Sequence, residues 1–100
     1  MSMIDAAQVM HDPARGRFEY QSGGRTALLA YRVRDGRMIL LHTEVPAELE
    51  GQGLGGQLVS AAIDYAARED LAVVPLCPFA ESWLDRHPDV AARVRIDEFR

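Results

Sequence analysis

Four glycines within six positions, Gly51, Gly53, Gly55 and Gly56, separate two stretches whose apolar residues repeat with different periods. Before them, residues 38–45 are a continuous run with strand character, closed by Pro46, which removes a backbone donor and predicts a splay or bulge near the strand's end. After them, Leu54, Leu58, Ala61, Ala62, Tyr65 and Ala66 fall at i, i+4, i+7, i+8, i+11 and i+12, one apolar face of a helix. A glycine-rich turn that passes from strand to helix aligns successive N–H groups at the positive end of the helix dipole, where an anion can sit. Glycine lets a phosphate approach the backbone and permits positive φ. Glycines alone fit a flexible turn and a helix cap equally well, so the rest of the chain must decide.

Upstream, Phe18 and Tyr20 alternate with polar neighbours before Ser22-Gly23-Gly24, residues 26–33 form a second apolar run, and Asp35-Gly36 supplies a tight hairpin turn. Side-chain alternation through the third strand, 38–45, puts Met38, Leu40, His42 and Glu44 on one side and Ile39, Leu41, Thr43 and Val45 on the other. Downstream, residues 71–76 read as a short buried strand and 79–86 as a second helix, in which Phe79 and Trp83, four apart, are assigned to core packing. Strand, turn, helix and strand make a βαβ unit. The last stretch, from residue 90, is compatible with helix or strand. Residues 1–14 read as an N-terminal arm and 15–100 as a single domain, since 100 residues with 48% hydrophobic content leave no room for a separate substrate domain.

A net charge of −4 gives no electrostatic reason to expect nucleic acid or an anionic membrane as partner. All 11 basic side chains are Arg, so the chain has no lysine side chain to modify. The lone Cys77 cannot form an internal disulfide, and no stretch has the length of a signal peptide or a membrane span. A cytoplasmic protein is expected. His11 and His87 lack partners at metal-ligand spacing, so no metal site is expected.

With no lysine, the Gly-Lys-Ser/Thr end of a nucleotide-hydrolase P-loop is impossible, and three strands preceding the turn argue against a dinucleotide fold. Glu50-Gly51-Gln52-Gly53-Leu54-Gly55 instead resembles the acetyl-CoA-binding segment of the GCN5-related N-acetyltransferases, Gln/Arg-x-x-Gly-x-Gly/Ala, with Glu50 standing where the pattern has Gln or Arg. Read with His42-Thr43-Glu44-Val45-Pro46, with Val74-Pro75-Leu76-Cys77-Pro78-Phe79, and with Trp83 and Arg86-His87-Pro88, the likeness is to the short, YjdJ-type members of that superfamily and spans about residues 17–90.

The resemblance implies an abbreviated α/β fold, a mixed and mainly antiparallel sheet with a long CoA-binding helix over 54–68 and a shorter second helix. It implies acetyl transfer from acetyl-CoA to an unidentified amine, with the strand ending at Val45 diverging from the one ending near residue 76. Val45, Gly51, Gln52, Gly53, Leu54, Gly55, Gly56, Cys77, Pro78 and Phe79 are the expected cofactor-binding residues. The thioester would lie between His42/Glu44 and Cys77. Glu44 or His42 is a candidate general base, and Cys77 a candidate nucleophile or proton donor. Two alternatives stay open: a non-catalytic acyl-CoA sensor or interaction module, and a scaffold in which the glycines only turn the chain. The oligomeric state is not legible.

Overall fold

The computed structural model describes residues 8–97. Its elements are β1 (Met10–Asp12), β2 (Arg17–Ser22), β3 (Arg25–Arg34), β4 (Arg37–Glu44), α1 (Leu54–Arg68), β5 (Ala72–Pro75), α2 (Pro78–Arg86) and α3 (Pro88–Ala91), with a 3-10 turn at Ala47–Leu49. The sheet runs in sequence order β1 to β5; the first four strands are antiparallel and β5 lies parallel to β4. This is the mixed, mainly antiparallel sheet expected from the sequence. Of the segment read as an arm, residues 1–7 lie outside the described residues, while Met10–Asp12 is an edge strand on β2. The open C-terminal stretch begins with α3 and ends in a bridge from Ile96 to Val73.

The hairpin between β3 and β4 turns where Asp35 and Gly36 take φ of 54° and 74°, the positive pair that a two-residue turn between twisted strands demands. Helix α1 covers one sheet face. Leu54, Leu58, Val59, Ala62, Ile63 and Ala66 are buried against Phe18, Leu29, Met38, Leu40 and Val73. Ala61 and Tyr65, placed by periodicity on the apolar face, sit at its margin and are only partly buried. No described helix is long and apolar enough to cross a membrane.

One expectation about β4 is corrected. In the β3–β4 ladder Ala30 faces His42 but Tyr31 faces Leu40, so Leu41 is an extra, unpaired residue. Such a bulge resets the alternation. Met38 and Leu40 are buried under α1, and beyond Leu41 it is Thr43, opposite the fully buried Leu29, that continues this face. His42 and Glu44, opposite Ala30 and Leu28, project from the other face. The expected irregularity near the strand's end is present, five residues before Pro46.

At the β1 edge, His11 stacks on Phe18 with ring centroids 4.2 Å apart, meets Tyr65 edge-on at 4.4 Å and hydrogen-bonds the Tyr31 hydroxyl. Partial burial holds its pKa below the ordinary 6.5, the nearby Arg68 charge adds to this, and Asp12 opposes it. The fold therefore favours the neutral ring. Its stabilising contribution is complete above about pH 6.5 and is lost as pH falls through that value towards the lowered folded-state pKa. Thermal melts between pH 7.5 and 5 should show the native chain losing a few degrees more than His11→Phe, which keeps the stacking but cannot titrate. Parallel losses in the two proteins would remove His11 from the account.

Candidate functional site

The cleft is built where β4 outruns β5. Their last paired residues are Leu40 and Pro75, after which Cys77 N–H donates to the Leu40 carbonyl at 3.0 Å. From His42 onward β4 pairs only with β3. Pro46 then leads into the 3-10 turn, whose Leu49 is buried, and the chain reaches the head of α1 through Glu50 and the glycines.

The resulting hollow of about 530 Å³ is lined by Thr43 and Val45 from β4, by Leu49, Glu50, Gly51, Gly53, Leu54, Gly55 and Gly56, and by Phe79, Trp83 and Arg86 from α2. Seven of the ten expected cofactor-binding residues meet here. Gln52, Cys77 and Pro78 do not line it. Thr43, Leu49, Glu50, Trp83 and Arg86 were not among the expected binding residues.

The glycines divide into two pairs with different physical roles. Gly51 and Gly53 take φ of 83° and 78°, with open space where a Cβ would be, so the backbone conformation requires them. Gly53 is the N-cap of α1, whose first turn carries no acidic residue. Gly55 and Gly56 are ordinary helical residues. A Cβ on Gly55 would stand 2.5 Å from Cζ of Phe79, and one on Gly56 2.5 Å from Nε1 of Trp83. Their bareness lets α2 pack its aromatic rings directly against the head of α1. Trp83, assigned to core packing from its spacing, is thus also a wall of the cleft. It is braced from behind by His87, which stacks on it at 3.9 Å and donates Nδ1–H to the Trp83 carbonyl at 2.8 Å.

Cys77 is 3% exposed, and its Sγ lies 3.3 Å from the Thr43 hydroxyl. Thr43, not the thiol, faces the hollow. On the opposite sheet face His42 Nε2 lies 2.9 Å from a Glu44 carboxylate oxygen, with the two side chains 55% and 63% exposed. A carboxylate only accepts, so Nε2 is the protonated nitrogen of this pair and the Nδ1 lone pair of the neutral ring is free to take a proton.

A larger hollow of about 650 Å³ lies on the far side of α2, over Val74, Leu84 and Ile96. Glu81, Asp85 and Asp97 rim it, which makes it unsuited to polyphosphate, and no helix N-terminus opens into it.

The family model for the GCN5-related N-acetyl-transferases matches residues 17–94, which include all of β2 through α3. The chain belongs to that family. Among its relatives, protein NATD1 of Gallus gallus is 33% identical over 84 residues, covering 81% of this chain and 76% of the relative. Protein NATD1 of Xenopus tropicalis is 31% identical over 91 residues, covering 88% and 84%. The NMR solution structure of a GCN5-like protein from Staphylococcus aureus superposes with a TM-score of 0.71 at 22% identity, covering 97% of this chain and 94% of that one. At that identity the superposition establishes the fold. Family membership supports an acetyltransferase-type function, and the family's usual acyl donor is acetyl-CoA.

The cleft suits such a donor on its own residues. The head of a 15-residue helix free of acids in its first turn and a backbone bare at Gly51 and Gly53 offer donors to a pyrophosphate, and Arg86 gives the cleft a positive charge. Val45, Leu49 and Leu54 offer an apolar path for the pantetheine arm.

Proposed function

We propose that the protein transfers an acetyl group from acetyl-CoA to an amine, with the pyrophosphate on the Gly51–Gly56 turn. One observation carries this reading: the turn, the Thr43–Val45 end of β4 and the aromatic face of α2 line a single cleft. Acetyl-CoA brings an activated thioester, and the chain's own residues do the rest. The amides at the head of α1 hold the pyrophosphate, and Val45 and Leu54 exclude water from the arm. Thr43 gives the cleft a hydroxyl beside the end of the β4–β5 pairing.

An amine approaching from the other sheet face meets His42. Nδ1 takes the amine's proton as the C–N bond forms and the C–S bond breaks, the thiolate leaves with the sulfur electrons, and Glu44 stabilises the imidazolium. Incubation with acetyl-CoA and a panel of amines, followed by mass spectrometry, should yield acetylated amine and free CoA. Binding of acetyl-CoA with no transfer to any amine would favour the non-catalytic sensor. The exposure of His42 and Glu44, whose side chains are open to solvent, is the feature that speaks for it.

Direct transfer is preferred to an acetyl-enzyme, because Cys77 is buried behind Thr43. Cys77→Ala should keep activity within several-fold, and intact mass after incubation with acetyl-CoA alone should reveal no adduct at Cys77. A hydroxylamine-sensitive acetyl group on Cys77 that forms and decays at the rate of turnover would establish the covalent route.

A further inference from the structure

Among the described residues, Arg32, Arg68 and Arg86 are the arginines that form no ion pair with a carboxylate. Of these, only Arg86 lines the glycine cleft, and no other basic side chain lines it. It closes a stripe along α2, with Phe79, Trp83 and Arg86 at i, i+4 and i+7 on the side turned to α1. The order along this stripe has a direction. The helix starts at Pro78, just after its N-cap Cys77 at the end of the β4–β5 pairing, where the acyl group is placed. Phe79 then abuts Gly55, Trp83 abuts Gly56, and Arg86 stands in the last turn, about 10 Å along the axis from Phe79.

A ligand lying along this wall with its thioester at Thr43 and its pyrophosphate on the glycines extends past Trp83 with its nucleotide end. The positive group waiting there stands about one turn beyond Trp83 on α2. An unpaired guanidinium suits a terminal phosphate dianion, which it can bind through two parallel N–H donors. It also offsets Glu50, an acid on the rim of the same cleft in a chain of net charge −4.

We propose that Arg86 binds the 3′-phosphate on the ribose of CoA and makes the protein discriminate CoA from 3′-dephospho-CoA. This rests on the cleft being the CoA site. Calorimetric titrations of the native chain and of Arg86→Gln with both compounds test it, since Arg86 is exposed at a helix end and its replacement leaves the core intact. The native chain should bind CoA at least about tenfold more tightly than 3′-dephospho-CoA. Arg86→Gln should bind CoA only as well as the native chain binds the dephospho compound, whose own affinity should not change. If Arg86→Gln weakens both compounds by the same factor, the guanidinium serves the pyrophosphate and the proposal is overturned. It is equally overturned if the native chain does not discriminate. Absence of binding by either compound to the native chain would instead remove the CoA reading of the cleft itself.

Discussion

Gly53→Asp is expected to weaken CoA binding by at least about 100-fold while leaving a folded protein. The position is the N-cap of α1, so the new carboxylate would stand where the pyrophosphate's negative charge belongs. It would compete for the same amides and repel the ligand. The fold should survive for two reasons. Aspartate tolerates positive φ better than most residues, and this chain already holds Asp35 at 54° and Asp70 at 57°, against 78° at Gly53. An acid at a helix N-terminus also favours the helix dipole, so any strain is partly offset. Calorimetry should then show lost binding, and a thermal melt should stay within a few degrees of the native chain. Undiminished CoA affinity in the folded variant would reduce the turn to a structural cap.

His42→Ala is expected to lower kcat by about 100-fold or more, the usual weight of a general base, with CoA affinity within a few-fold of native. The separation follows from the bulge at Leu41, which turns His42 to the sheet face opposite Thr43 and the cleft. Glu44→Gln should have a smaller effect in the same direction, because the amide still accepts from Nε2–H but no longer stabilises the charged ring. Normal turnover in His42→Ala would mean that the amine arrives neutral or loses its proton to water. A large loss of CoA affinity would instead move His42 into the donor site.

The turns, the helix over 54–68 and the succession of strands and helices from residue 17 onward were legible because their signals are local, whereas the edge strand at Met10–Asp12 was read as part of an arm. Asp35-Gly36 can take positive φ at little cost, the apolar face of α1 repeats at helical spacing, and the glycines fall between two different periods. An irregularity near the end of β4 was expected, but its position at Leu41 and its reversal of the strand's faces were not legible. An unpaired Leu41 depends on how β4 registers on β3, and alternation within one strand carries no trace of it.

The cleft's far wall was hidden for a related reason. Trp83 looks like a core residue until α2 is docked on α1, although Phe79 one turn before it was already expected at the cofactor. A signal did exist: two glycines, Gly55 and Gly56, within the first turn of a helix weaken it, and helical residues with negative φ gain nothing from glycine's freedom. Something had to need the missing Cβ atoms, and the rings of α2 do. Arg86 carries no such mark in the sequence, because its lack of a partner is a property of the folded surface.

The binding of CoA at the head of α1 is tested most directly by NMR titration of the isotope-labelled native chain. The largest shifts should fall on the backbone amides of residues 53–57 and on the indole N–H of Trp83, with those of Glu81, Asp85 and Asp97 unmoved. Shifts centred on that acidic hollow across α2, or none at millimolar CoA, would contradict it.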